Sequence, residues 1–348
     1  MITKKRSEGL SKIQNRRALS RAVCRLLFGT FTLMALWVAP TTASALIFNL
    51  NYDPDSTFTA AGLSPADIVA MKAANTYAAA QFINNFSDPI HVNINITAVP
   101  GTGTVGGSTF SLNRFTNYTT IRNKFVSDAT SQDDATAIGT GGSLPLTDII
   151  TGTHNYMVPT ALGKALGLIG DSTSNTDGTY TFGGGWSYTY DPNNRVVPGK
   201  IDYIGVAMHE FSEIMGRAGL MGVDLGAGGP SYYPYDLFHF SGSGTHYLSN
   251  GGSYFSIDGG ITNLKGFNNQ STSGGDLSDW AFGKPTESFN AFIAEYDVKL
   301  DMTPLDLRTM DVIGYNRILP EPSSALMLLC ASGLTLLRRR RASTALCL

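Results

Sequence analysis

The central part of this 348-residue chain lacks cysteine, because its three cysteines are Cys24, Cys330 and Cys347. Within residues 46–316, therefore, no disulfide can form and no thiolate can act as nucleophile or metal ligand. Charged residues are also few, at 15% against 43% hydrophobic residues, which excludes a disordered protein and a coiled coil. Stability must come from an apolar core, and about 270 residues suffice to build one.

The formal net charge of −2 conceals an uneven distribution of charge. Eight of the 25 Lys and Arg residues lie in residues 1–45, and four more form the cluster at 338–341. The other 13 basic residues share positions 46–337 with 26 of the 27 acidic residues. The body is therefore acidic and has too few basic residues for a phosphate-binding face, so nucleic acid is not an expected partner.

Residues 1–45 have the order of a secretory signal peptide. A basic segment precedes the apolar residues 26–39, and Ala43-Ser44-Ala45 supplies the small residues that signal peptidase accepts. We therefore predict export through the inner membrane and a mature chain that begins near Leu46, with a permanent N-terminal anchor helix as the alternative. Arg16-Arg17 leaves the twin-arginine route open beside the general secretory route.

Residues 317–348 carry a second ordered pattern: Pro320-Glu321-Pro322, an apolar segment at 325–337, and the arginine cluster at 338–341. The apolar segment is shorter than the ~20 residues of a relaxed membrane span, and the arginines would hold its end in the cytoplasm. The pattern resembles the PEP-CTERM sorting signal of Gram-negative bacteria. This resemblance implies a transmembrane helix that resides transiently in the inner membrane, and processing by an exosortase. The product would reach the cell surface, the extracellular matrix or the medium.

Between these two ends, residues 46–316 are predicted to form one α+β domain. The patterns of apolar, capping and turn residues predict strands at 46–51, 90–99 and 148–151, helices at 64–86, 120–129 and 160–168, and a hairpin at 178–190. Beyond Gly219, clusters of glycine predict a loop-rich second half. A strand–helix first half and a loop-rich second half would then flank one central helix.

That central helix is predicted from Asp202, a suitable N-cap, to Arg217, with Gly216 marking its end. His209 and Glu213 are four residues apart and project from one face, and Glu210 points about a quarter-turn away. The spacing is that of the H-E-x-x-H zinc helix with glutamate as the second ligand. Zinc accepts carboxylate oxygens, so H-E-x-x-E can bind it, although an ordinary amphipathic helix can match so short a pattern by chance.

Residues 205–217, GVAMHEFSEIMGR, resemble the active-site helix of zincin-like metalloproteases that carry PEP-CTERM tails. Four further segments extend the resemblance over most of residues 46–316: 236–241, 254–260, 275–280 and 305–315. It implies a zincin-like, metzincin-related domain and a secreted zinc peptidase that acts on proteins or peptides. His209 and Glu213 would be metal ligands, and Glu210 would be the general base.

The third zinc ligand is left open. The metzincin pattern would place it at position 219, but Gly219 has no side chain, and a catalytic zinc normally keeps three protein ligands. Asp236 and His239 are favoured, because DLFHF places both on one short segment soon after the helix. Alternatively, Asp236 caps a turn and His239 lies at the surface. Three further residues are weaker candidates: Asp224, His154 and His246.

Calcium is a second candidate cofactor, since aspartates in glycine-rich loops could bind it or cap turns: Asp258, Asp276 and Asp279. The sequence also leaves a second function open, that of a non-catalytic exported surface or matrix protein on the same scaffold. The two functions differ in one observable, because a peptidase requires a third ligand that faces His209 and Glu213. A serine hydrolase has no support, since no G-x-S-x-G elbow is present.

Overall fold

The computed structural model describes residues 45–281, 286–293 and 296–318, and these ranges contain eight α-helices. The helices are α1 (Asp55–Ala61), α2 (Pro65–Ile83), α3 (Tyr118–Asp128), α4 (Gln132–Ile138), α5 (Thr160–Ala165), α6 (Tyr203–Ile214), α7 (Gln270–Ser273) and α8 (Pro304–Val312), with a 3₁₀-helix at Pro234–Phe238. None of the described helices combines the length and apolar character that crossing a membrane requires. The predicted signal peptide and sorting tail lie outside the described residues, apart from residues 45, 317 and 318.

The strands are short and numerous, which gives a mixed α+β domain as predicted. They are β1 (Ile47–Tyr52), β2 (His91–Val99), β3 (Gly106–Phe110), β4 (Leu112–Phe115), β5 (Asn155–Pro159), β6 (Gly178–Gly183), β7 (Tyr188–Thr189), β8 (Ile201–Asp202), β9 (Ser231–Tyr232), β10 (His239–Gly242), β11 (Thr245–His246), β12 (Tyr254–Phe255) and β13 (Lys265–Gly266). All described residues belong to one compact unit.

The sheet that supports the site has the strand order β1-β2-β6-β3. Strands β1, β2 and β6 are parallel, and β3 runs antiparallel to β6 at the edge, with Ser108 opposite Tyr180. Helix α6 packs on this sheet through aromatic side chains: the ring centroids of Phe211 and Tyr180 are 5.8 Å apart, and those of Tyr203 and Phe182 are 5.1 Å apart. These rings are fully buried, so the apolar core holds α6 beside the edge strand.

Local signals place the two longest helices where they were predicted. Helix α2 begins after Ser64 with a capping box, in which Ser64 and Asp67 each accept a hydrogen bond from the other's backbone N–H. Helix α6 begins after Asp202, but the Asp202 carboxylate does not cap it. It binds the Arg195 guanidinium instead, with Nη2 2.6 Å from Oδ2, and accepts the backbone N–H of Leu300.

The remaining strands form three smaller sheets, with orders β4-β5-β9, β11-β10-β12-β13 and β7-β8. Strands β7 to β13 are two to four residues long, so the loop-rich second half is confirmed. The hairpin predicted at 178–190 is wrong, because β2 and β3 occupy both edges of β6 and β7 pairs with β8. The strand predicted at 148–151 is also wrong, because the Asp148 carboxylate accepts the Ile150 N–H and so stabilises a turn.

Candidate metal centre

Helix α6 brings together the two ligands that the sequence pattern indicates. His209 Nε2 lies 3.3 Å from Glu213 Oε1, one helical turn away. Both side chains are buried, as is every residue of α6. Two polar ligands in an otherwise apolar helix require partners, since an unpaired charge is costly to bury. The prediction that they share one face is confirmed.

Asp279 completes the group from a loop far along the chain. Its Oδ2 lies 3.6 Å from His209 Nε2, and its side chain is buried as well. One ligand atom from each of His209, Glu213 and Asp279 lies within 4.8 Å of the others. Within the described ranges this is the only group of three or more His, Cys, Asp or Glu side chains with such geometry. The three residues could therefore hold a metal ion.

Hydrogen bonds orient two of these ligands. His209 Nδ1 donates to the backbone carbonyl of Ser288 at 2.7 Å, which leaves Nε2 as the nitrogen that can bind a metal. Ser108 on β3 donates from Oγ to Glu213 Oε2 at 2.7 Å, which leaves Oε1 towards His209. Such partners fix the tautomer and the orientation of ligands at metal sites. The donor atoms are thus one imidazole nitrogen and two carboxylate oxygens, a set that suits zinc among other divalent ions.

Glu210 occupies a separate position, against the edge strand. A Cβ atom on Gly106 would lie only 2.5 Å from Glu210 Oε1, so the absence of a side chain on β3 allows this close approach. The other oxygen, Oε2, is buried and has no hydrogen-bond partner among the described residues. Buried polar atoms in proteins normally have partners. Glu210 Oε2 is therefore a buried carboxylate oxygen whose hydrogen-bonding capacity is unused within the described residues.

The charges within this group are strongly coupled. Burial alone lowers the pKa of His209, but the negative charges of Asp279 and Glu213 outweigh it and raise that pKa to about 10. Burial raises the pKa of Glu213, yet His209 and Arg217 bring it down to about 2. Burial and then the Glu213 charge raise the pKa of Glu210 well above its usual range. Without a metal, His209 is therefore protonated, Glu213 ionised and Glu210 neutral, and metal binding to such a site releases protons.

Arg217, three residues after α6, is a fourth member of this group and is fully buried. Its Nη1 lies 2.5 Å from Asp279 Oδ1, and its Nη2 lies 3.7 Å from Glu213 Oε1. From the sequence, Arg217 is predicted to lie in the helix, without a role of its own. Asp279 is predicted there as a calcium ligand or a turn cap, and the acidic GDLSDW segment is the available signal for its place in this group.

A cavity of about 170 Å³ opens beside the ligand group. Its walls include Glu213, Asp279 and Arg217 from the group itself, together with the aromatic rings of Phe110 and Tyr233. These two rings meet edge to face, with their centroids 5.6 Å apart. Asp276 also lines the cavity and is exposed. The candidate metal site is therefore accessible to a ligand of side-chain size.

The two residues favoured as third ligand lie outside the group. Asp236 is buried at the start of the 3₁₀-helix, where its carboxylate accepts backbone N–H bonds from Leu220, Met221 and Tyr233. His239 is buried with its ring stacked on Phe267 at 3.5 Å between centroids. Its two nitrogens contact the hydroxyl groups of Ser253 and Ser278. Asp236 thus organises a turn, and His239 is a packed core histidine rather than the surface residue of the alternative interpretation.

The weaker candidates also have local partners. Asp224 accepts the N–H of Gly226, His154 contacts Asp148, and His246 contacts the carbonyl of Ser143. The calcium candidate Asp258 accepts hydrogen bonds from Ser256 and Thr262. Turn formation therefore accounts for the Asp224 and Asp258 carboxylates.

The chain has no match in comparisons with protein-family models, with curated proteins or with solved structures. The resemblance of residues 205–217 to a zincin-like helix therefore stays a prediction. The features that bear on function are the group formed by His209, Glu213, Asp279 and Arg217, and Glu210 beside it.

Proposed function

We propose that this protein is a zinc-dependent metallopeptidase with a zincin-like domain, exported and delivered to the cell surface, the extracellular matrix or the medium. The observation that carries the proposal is the position of Asp279. It supplies a third ligand that faces His209 and Glu213, which is what a catalytic zinc needs and what the non-catalytic alternative does not need. Zinc would be held by His209 Nε2, Glu213 Oε1 and Asp279 Oδ2.

The remaining groups of the site fit hydrolysis by activated water. His209, Glu213 and Asp279 would hold the zinc ion, and the chemistry it would supply there is Lewis acidity. Glu210 is the proposed general base: the charge of bound zinc would favour its ionised form, whose unpartnered Oε2 could accept the proton of the attacking water and return it to the leaving amine. Ser108 and the carbonyl of Ser288 hold Glu213 and His209 in register while this occurs.

The surroundings of the site favour a peptide as the substrate. In the described part of the chain, strand β3 pairs only with β6, so its outer edge has unpaired backbone groups. An extended peptide can add to such an edge through main-chain hydrogen bonds. Ser108 on β3 contacts the ligand Glu213, so a peptide along this edge would pass the metal site. The cavity beside Phe110 and Tyr233 could then receive one of its side chains.

Export and sorting complete the proposal. The order of residues in 1–45 and 317–348 supports a signal peptidase and an exosortase-type enzyme as processing partners, with transient passage of the tail through the inner membrane. These partners act on the ends of the chain, whereas the proposed chemistry belongs to residues 46–316. A peptidase of this type would act outside the cytoplasm.

Metal content by mass spectrometry tests the proposal. We expect near-stoichiometric zinc in the purified protein and in Glu210→Gln, and none above background in His209→Ala, Glu213→Ala or Asp279→Asn. Asp236→Asn and His239→Gln are matched controls and should retain zinc. The same measurement reports calcium. Peptide hydrolysis by the zinc-loaded parent and at least ~100-fold less by Glu210→Gln would support the role of that residue. Absence of metal from the parent protein, even after incubation with zinc, would refute the proposal.

A further inference from the structure

Arg217 lies among the candidate metal ligands and contacts two of them, Glu213 and Asp279. A fully buried arginine beside candidate metal ligands is unexpected, since its charge repels a cation, and an arginine stays protonated in proteins. Its guanidinium is nevertheless firmly held. Nε donates to Ser212 Oγ at 2.7 Å, Nη1 donates to the carbonyl of Ser278 at 3.3 Å, and the guanidinium carbon lies 4.4 Å from the centroid of the Phe289 ring.

This fixed guanidinium makes the two oxygens of Asp279 unequal. Oδ1 accepts from Arg217 Nη1 at 2.5 Å, a short charge-assisted hydrogen bond. Oδ2 is the oxygen that lies 3.6 Å from His209 Nε2. One orientation of the Asp279 carboxylate is therefore selected, and it presents Oδ2 to the proposed metal position. Ser108 and Ser288 act similarly on Glu213 and His209, so each ligand has its own orienting partner.

The second terminal nitrogen of the guanidinium, Nη2, makes only long contacts with the other two candidate ligands, His209 and Glu213. Nη2 lies 3.5 Å from His209 Nε2 and 3.7 Å from Glu213 Oε1. Both distances exceed those of good hydrogen bonds, so a cation could replace these contacts with little loss of free energy. The short bond from Nη1 to Asp279 would persist. In the metal-free protein, however, Arg217 together with the His209 imidazolium offsets the negative charges of two buried carboxylates, and removal of Arg217 would leave part of that charge uncompensated.

We propose that Arg217 is a positioning residue of the metal site, which orients Asp279 for coordination and holds the ligand group together when no metal is bound. This inference rests on the proposed function, because it requires that the group binds zinc. Its consequence is a fold that forms without metal. Substitution of Arg217 should therefore both weaken zinc binding and make folding depend on zinc.

Arg217→Gln tests this, and Arg195→Gln is the matched control. Arg195 is also a buried arginine beside α6, and it binds Asp202 and Asp301 rather than any proposed ligand. Zinc affinity is measured by competition with a chromophoric chelator, and unfolding temperature is measured with EDTA and with zinc. We expect Arg217→Gln to lose about 10- to 100-fold in zinc affinity, the range seen when a partner of a metal ligand is removed. Its unfolding temperature should fall much more in EDTA than in zinc. Arg195→Gln should be equally destabilised in both and keep its zinc affinity.

A double-mutant comparison separates orientation from general damage. With zinc added at concentrations that load Asp279→Asn despite its loss of metal during purification, Arg217→Gln combined with Asp279→Asn should bind zinc no more weakly than Asp279→Asn alone if Arg217 acts through Asp279. If Arg217→Gln fails to fold in EDTA, Arg217→Lys replaces it as the test. Lysine keeps the positive charge but lacks the planar guanidinium with its several N–H donors, so this variant should show the loss of zinc affinity in folded protein. Equal zinc affinity for Arg217→Gln and the parent overturns this inference and leaves the peptidase proposal standing. Absence of zinc from the parent overturns both.

Discussion

Gly106 offers a direct test of how closely strand β3 and Glu210 are packed. An alanine at Gly106 would place its Cβ 2.5 Å from Glu210 Oε1 and 2.7 Å from Val206 Cγ1, closer than real Cβ contacts. At the next residue, Gly107, the nearest such atom is Thr104 Oγ1 at 3.8 Å, an ordinary contact. Gly107→Ala is therefore a matched control on the same strand, and neither glycine has a positive φ that alanine would avoid.

The expected magnitudes follow from two opposing effects. Replacing glycine by alanine at a compatible site stabilises a protein by about 0.4–1 kcal/mol, and both variants gain this. Only Gly106→Ala adds the strain of overpacking, typically about 1–3 kcal/mol. We therefore expect Gly106→Ala to unfold at a lower temperature than Gly107→Ala, by about 2–4 °C for each kcal/mol of difference. Thermal unfolding of the zinc-loaded proteins measures this.

The variants Gly106→Ala and Gly107→Ala also test the proposed role of Glu210 as general base. Because Glu210 is not a proposed ligand, Gly106→Ala should keep its zinc while it loses peptide hydrolysis by about 100-fold, the penalty for a misplacement near 1 Å. Gly107→Ala should keep both. Equal stability and equal activity of the two variants would refute the packing that we describe. Loss of zinc from Gly106→Ala would show instead that the contact with β3 supports the ligands and not the base.

Three further predictions concern Ser108, Asp236 and Asp128. Ser108→Ala should weaken zinc binding by about 10-fold or more in chelator competition, because Glu213 loses the donor that orients it. Asp236→Ala should lower the free energy of unfolding by about 1–3 kcal/mol in denaturant titration, since buried backbone N–H groups lose their acceptor. Asp128→Asn should raise the unfolding temperature more at pH 8 than at pH 5. Burial, with the charge of Asp88, raises the Asp128 pKa from 3.8 to about 7, so this carboxyl group lowers stability progressively as the pH rises from its unfolded-state pKa to its folded-state pKa.

For Asp128→Asn we expect a gain of about 1–2 kcal/mol at pH 8, after allowance for partial exposure to solvent. Asp224→Asn, at an exposed turn, is the control and should change little at either pH. A gain of equal size at pH 5 would contradict the assignment to ionisation. Unchanged zinc affinity in Ser108→Ala, or unchanged stability in Asp236→Ala, would likewise count against the roles given to those hydrogen bonds.

The parts of the fold that local chemistry controls could be predicted from the sequence. Ser64, Pro65 and Asp67 lie within one turn, so the start of α2 follows from neighbouring residues alone. The same holds for α6, where His209 and Glu213 share a face because any helix brings residues i and i+4 together. For this reason the pair of ligands on the helix was predictable before any tertiary contact was known.

The third candidate ligand depends on tertiary structure and could not be predicted in that way. Asp236 and Asp279 both follow α6 in glycine-rich sequence, and proximity along the chain favoured Asp236. In the folded protein the segment with Asp279 lies against Gly219, where a Cβ atom would collide with Ser278 Oγ. Asp236 lies close to Gly219 too, but the backbone N–H groups of Leu220 and Met221 occupy its carboxylate. Which aspartate is left for a metal is decided by those N–H groups.

The sequence separation within the site has a consequence for the order of events after synthesis. Ser108 is 105 residues from its partner Glu213, His209 is 79 residues from Ser288, and Arg217 is 62 residues from Asp279. Contacts at such separations form slowly, since each requires closure of a long loop. A chain in transit across a membrane in unfolded form would present at most the local His209–Glu213 pair, too few ligands to retain zinc. Acquisition of the metal, and any proteolytic activity, would then begin only after folding at the destination.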